Sequence, residues 1–282
     1  MTKETSQLGN VLNPDAAWVA KVNEPALEPE LPIVDPHHHL WQRAGNDYLF
    51  HDLLADTQTG HNIAATVFVD CHSMYRKDGP AELRCTGETE FANGVAAMSA
   101  SGLYGNLRAC AGIVGHVDLR LGSRAGAVFD AQIAAGNGRF KGIRHQTGWD
   151  ADPGIRNVRT DPTPHDEVRA AWKQSMAELA KRQNIVVKVG GLGMAMGWFD
   201  FYRQPSPPSS QALADAFRPW VETCIDLFGP DRCMFESNFP VDKITSGYGV
   251  LWNAFKRLAS SASAAEKTAL FSGTARRVYK LA

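Results

Sequence analysis

The sequence predicts a parallel α/β fold, and three observations carry that expectation. Short runs rich in Val, Ile and Phe recur at 33–37, 65–71, 109–117, 140–145, 185–189 and 233–237. Each is nearly continuous in hydrophobicity, as strands covered on both faces are, rather than alternating as half-exposed strands do. Stretches with helical periodicity separate them. Strand–helix alternation of this kind builds either a closed barrel or an open doubly wound sheet.

Residues 1–31 come first, polar and punctuated by Pro14, Pro25 and Pro29, and read as an irregular extension. The rest, 32–282, reads as one domain. Helices are expected at 88–99 and 124–135, both Ala-rich. A third, at 165–182, sets Val168, Trp172, Met176 and Leu179 on one face. A fourth, at 212–228, stops at Gly229-Pro230. Ser263 and Glu266 have the spacing of a capping box that opens a C-terminal helix. Segments 149–164 and 201–210, rich in Pro and Asp, are loops long enough to be functional.

Composition narrows the function classes. A net charge of −1 with no Lys or Arg run gives no reason to expect a nucleic-acid partner. No segment has the ~20 apolar residues of a membrane helix, and the first 30 residues lack a signal-peptide core. Five scattered cysteines, none in a Cys-x-x-Cys pair, suit reduced thiols in a cytoplasmic protein.

The chemistry gathers at strand ends. Asp35-Pro36-His37-His38-His39 closes the first strand. Side chains two apart on a strand point the same way, so His37 and His39 converge while His38 faces elsewhere. Two imidazoles there suit a divalent metal such as zinc, or the polarisation of a carbonyl. Pro36 lacks a ladder donor, so the strand is expected to fray at that point. After the last strand, Glu236 and Asn238 share a face, while Ser237, Asn238 and Asp242 also suit an N-cap and loop-closing role. The middle strands end in Asp70, His72 and Tyr75, in His116 and Asp118, and in Arg144 and His145. His116 reads best as structural. Arg144 or Arg76 suits a substrate carboxylate or an oxyanion. Gly191-Leu192-Gly193 and Gly197 are one residue too widely spaced for a dinucleotide loop and read as a tight turn.

Five segments resemble the amidohydrolase-related family of barrel hydrolases, which includes sugar lactonases and 2-pyrone-4,6-dicarboxylate lactonase. They are 33–41 (IVDPHHHLW), 66–75 (TVFVDCHSMY), 140–149 (FKGIRHQTGW), 186–194 (VVKVGGLGM) and 233–243 (CMFESNFPVDK). The resemblance implies a (β/α)₈ TIM barrel and hydrolysis of a lactone or a related ester or amide. His37 and His39 match the family's His-x-His. Glu236 and Asn238 join them as catalytic candidates, and His72, Tyr75, Arg144 and His145 as substrate-binding ones. His37 and His39 would be the ligands if a metal is bound, and a metal-free mechanism also suits the branch.

The sequence departs from the family twice. Asn238 stands where the family has an aspartate, and an amide is not a base. Between Arg144 and Ile185 there is no apolar strand bearing a histidine, so about six strands are recognisable, short by roughly two βα units or ~60 residues. Such a barrel would be open, distorted or closed by a homodimer partner. Two functions follow: hydrolysis of a small cyclic ester, or a catalytically inactive relative that binds a small molecule or serves as a partner subunit.

Overall fold

The structure is a computed structural model, and it describes residues 13–145, 165–194 and 199–281. All six expected strands form: β1 (Ile33–His38), β2 (Ile63–Val69), β3 (Arg108–His116), β4 (Phe140–Arg144), β5 (Val187–Val189) and β6 (Cys233–Phe235). Parallel ladders join β1 to β2, β2 to β3 and β3 to β4, and a separate ladder joins β5 to β6. A parallel bridge between His38 and Phe239 brings the two sheets together at the end of β6. The spatial order is therefore β5-β6-β1-β2-β3-β4, an α/β arrangement consistent with the barrel type. Among the described residues no ladder joins β4 to β5.

Helices cover the outside: α1 (Ala16–Val19), α2 (Phe50–Thr57), α3 (Thr86–Ala100), α4 (Ala125–Gly136), α5 (His165–Ala180), α6 (Ser210–Phe228), α7 (Tyr248–Leu258), α8 (Ala264–Thr268) and α9 (Thr274–Tyr279). Local chemistry sets their ends. The Ser209 hydroxyl accepts from Ala212 N at the start of α6, and Gly229 ends that helix at φ 77°. At α8 the capping box forms as spaced, with Ser263 N donating to Glu266 and Glu266 N to Ser263. Among the described residues no helix is long and apolar enough to cross a membrane, and all five cysteines are free and buried.

Four expectations need correction. β1 runs on through Pro36, because the register slips there: Asp35 faces Thr66 and His38 faces Phe68. The extra β1 residue makes a bulge, which tolerates a proline without ending the strand. On α5, Leu179 is exposed, and Trp172, Met176 and Ala180 face inward instead. The outer strands are less covered than continuous hydrophobicity implies: every residue of β4 is half-buried, as are Val187 and Lys188 of β5. The extension holds one helical turn, and it is tied down: Lys256 Nζ donates to the carbonyls of Leu27 and Glu28 at 2.7 and 2.9 Å. Loop 149–164, Val168's side chain and Gly197 lie outside the described residues.

The main core lies beneath the β6–β1 side. Phe235 stacks on Phe255 at 4.6 Å and meets Phe271, with Trp252 packed across them. Above it, the fully buried Asp35 accepts from Ser237 N (3.0 Å), Ser237 Oγ (2.6 Å) and Tyr248 OH (2.9 Å). Removing that carboxylate strands three buried donors at once. Asp35→Ala is therefore expected to cost about 3 kcal/mol or more in urea unfolding. A loss under ~1 kcal/mol would show that these bonds do not hold β6 to β1.

Candidate functional site

The C-terminal ends of the strands carry the polar groups, as the sequence suggested. The bulge at Pro36 leaves His37 and His39 on one side, their Nε2 atoms 3.2 Å apart. His38 turns away into the core, where its Nε2 lies 2.8 Å from the Thr66 hydroxyl, and burial pulls its imidazole down to about 3.

The outer nitrogens of the converging pair are both held. His39 Nδ1 lies 2.8 Å from the Val69 carbonyl, which can only accept, so that nitrogen carries the proton. His37 Nδ1 lies 2.6 Å from Glu236 Oε2. Burial alone would raise the Glu236 carboxyl, but its hydrogen bonds and electrostatic contacts with His37 and Lys188 override it and bring it to about 2. An ionised carboxylate cannot donate and calls for a proton on His37 Nδ1, whereas the Lys188 ammonium 2.7 Å from the same nitrogen can only donate; Glu236, at 2.6 Å, is the closer partner. With Nδ1 protonated on both rings, the two Nε2 atoms would face each other as lone pairs across 3.2 Å. Burial lowers both imidazoles, His39 strongly, which keeps them neutral.

Lys188 was not singled out from the sequence. Its ammonium lies 3.0 Å from Glu236 Oε2 and 2.7 Å from His37 Nδ1. One signal was available: a lysine at the centre of Val186-Val187-Lys188-Val189 must point to the opposite face from its valine neighbours. The turn after β5 comes close as expected. A side chain at Gly190 would collide with Glu236, and one at Gly193 would meet Asp242 at 2.9 Å.

Glu236 and Asn238 lie beyond the end of β6, yet both border Gly191, at 3.8 and 3.7 Å from where its Cβ would be. Asn238 sits at φ 53° and donates through Nδ2 to Asp242 (2.7 Å), while its N–H donates to the His37 carbonyl (2.9 Å). Asp242 also accepts from Gly193 N, so Ser237 and Asp242 serve loop closing.

The middle strands form a second group. Arg144 Nε donates to Asp70 at 2.9 Å, with the Arg144 guanidinium also on the Asp70 carbonyl. Tyr75 OH lies 3.1 Å from His72 Nδ1, His72 packs 5.1 Å from His116, and His145 stacks on His116 at 5.8 Å. Arg76 is taken up by Glu90 at the surface, and Asp118 caps the turn at Arg120.

Among the described residues, the donors at His37 and His39 do not complete a zinc site. Two lone pairs 3.2 Å apart match the spacing of two ligands on one ion, but catalytic zinc normally has three protein ligands. Among the described residues no third ligand joins them. The Lys188 ammonium stands against His37, and the Arg144 guanidinium lowers both imidazoles further.

Three buried carboxyls work against alkaline stability. Burial pushes Asp35 up to about 6 and both Glu88 and Asp242 up to about 7, in each case against the hydrogen bonds they accept. A raised folded value means the fold binds the proton more tightly than the unfolded chain. Stability from Asp242 is full below its unfolded value near 4 and falls as pH rises through 7. The melting temperature is expected to drop between about pH 5 and pH 8, and to drop less in Asp242→Asn. Equal slopes for the two proteins would contradict this.

Residues 159–281 match the family model Amidohydrolase. Protein y4mH of Sinorhizobium fredii is 27% identical, over 89% of this chain and 99% of its own. L-fucono-1,5-lactonase of Burkholderia multivorans is 34% identical over 41% of this chain and 37% of its own. In fold, an amidohydrolase of Burkholderia multivorans crystallised with bound zinc superposes with a TM-score of 0.63 at 24% identity, over 89% of this chain and 99% of its own. The resemblance to the amidohydrolase-related family is therefore borne out, by sequence over residues 159–281 and by fold over most of the chain.

Proposed function

We propose that the chain is a hydrolase of small cyclic esters, with 32–282 as its catalytic unit, working through the His37–His39 pair without a metal at that pair. The observation that carries this reading is the pair of converging imidazoles, with Nε2 atoms 3.2 Å apart, and Glu236 2.6 Å from His37 Nδ1. A carboxylate that sets the tautomer of a basic imidazole is the arrangement general-base catalysis needs.

In this reading a water over the pair gives its proton to His37 Nε2, which His39 Nε2 shares. The water oxygen bonds to the lactone carbonyl carbon. Lys188 and Arg144 supply positive charge to the oxyanion, and Arg144 also suits a substrate carboxylate. As the carbonyl reforms, the ring C–O bond breaks and the departing oxygen takes the proton from the imidazole pair. His72, Tyr75 and His145 line the rim where the substrate binds. Asn238 cannot act as a base; its amide holds Asp242 and the turn beside the site.

Similarity to the lactonase supports the ester class. The barrel itself is proposed to be shortened between β4 and β5. The alignment with y4mH runs over 329 positions, more than the 282 residues of this chain, so the relative carries internal segments that are missing here. A cavity of about 490 Å³ beside Lys188 opens along β5, walled by Trp172, Met176, Leu192, Val221 and Cys224. A second copy covering that edge is one way to close it.

Proton release from a panel of sugar and pyrone lactones tests the reading. Turnover should disappear in His37→Ala and fall about 100-fold or more in Lys188→Met, the size of an oxyanion contact. No turnover across the panel, with binding that raises the melting temperature, would instead favour the inactive relative.

A further inference from the structure

A second cluster of donors lies outside the histidine pair. Asp70, His72 and His116 each offer one ligand atom, and these atoms all fall within 4.8 Å of one another. They come from two neighbouring strands: Asp70 and His72 follow β2, and His116 ends β3. Among the described residues no other group of three or more His, Cys, Asp or Glu donors approaches this closely.

Each donor is oriented by what surrounds it. His116 Nδ1 lies 3.2 Å from the Arg144 carbonyl, which fixes the proton there and leaves Nε2 with its lone pair. His72 Nδ1 meets the Tyr75 hydroxyl at 3.1 Å, the same outer-nitrogen contact that commonly orients a ligating imidazole. Asp70 is buried and aligned by Arg144 on its Oδ1. His72 holds a backbone φ of 58°, a conformation a non-glycine residue adopts at some cost, and its ring lies 5.1 Å from that of His116.

We propose that Asp70, His72 and His116 bind one divalent transition-metal ion of the zinc class. Two imidazole nitrogens and one carboxylate oxygen are a donor set that zinc takes, with a position left for water. Ligands on one tetrahedral zinc stand roughly 3.3 Å apart, closer than the limit met here. Closing the set needs a small turn of the exposed His72 ring about its Tyr75 contact. Arg144 is the opposing charge. It would keep Asp70 aligned while offsetting part of the attraction, so the site is expected to be weaker than one with a free carboxylate.

Metal-stripped protein titrated with zinc chloride, followed by calorimetry, reads this without any substrate, so the result stands apart from the lactone reaction. Cobalt(II) gives a second readout through its visible absorption. One ion per chain is expected, with binding at least tenfold weaker in His72→Ala and in His116→Ala and unchanged in His37→Ala. Circular dichroism melts of each variant separate loss of ligand from loss of fold. Asp70→Asn, which keeps the shape of the side chain, should weaken binding in the same way. Binding that survives His72→Ala and His116→Ala but is lost in His37→Ala, or no saturable binding at all, would overturn the assignment.

Discussion

The seam between β1 and the segment after β6 is the constraint on which the site depends. Asn238 N donates to the His37 carbonyl, and His39 N donates to the Phe239 carbonyl. Beneath them Asp35 ties Ser237 and Tyr248 to the same strand. These bonds join residues some 200 positions apart in sequence, and they set Glu236 2.6 Å from His37. Without the seam, β5 and β6 would be a separate two-stranded piece, and Lys188 and Glu236 would have no imidazole to act on.

Charge then follows from burial. Glu236 and Lys188 form a largely buried ion pair with the neutral His37 hydrogen-bonded beside it, and each ion is costly alone. Removing one member leaves the others unpaired, so substitutions here are expected to perturb the whole group rather than one contact. The Asp70–Arg144 pair beside it has the same character, since the carboxylate is buried and the guanidinium is three-quarters covered.

Much of the fold was legible because parallel strands announce themselves as short apolar runs, and all six stood where those runs lay. Alternation along a strand was enough to pair His37 with His39 and to turn His38 away. Lys188 escaped notice because a single charge inside an apolar strand looks like noise unless its face is traced. The bulge at Pro36 could not be read, because it depends on which residues of β2 stand opposite. Leu179 was misplaced because periodicity defines a stripe but not which neighbours exist to cover it. His116 looked structural in sequence, since nothing in its own segment shows that Asp70 and His72 come to meet it from the next strand.

The protonation pattern of the His37–His39 pair offers the most direct measurement of how this site is built. Nitrogen-15 spectra of the imidazole side chains at neutral pH report which ring nitrogen carries the proton. Both rings should be neutral, with Nδ1 protonated and Nε2 bare. A protonated Nε2 on His39, or a His37 ring whose Nδ1 is bare, would contradict the hold of Val69 and Glu236 on which the chemistry rests.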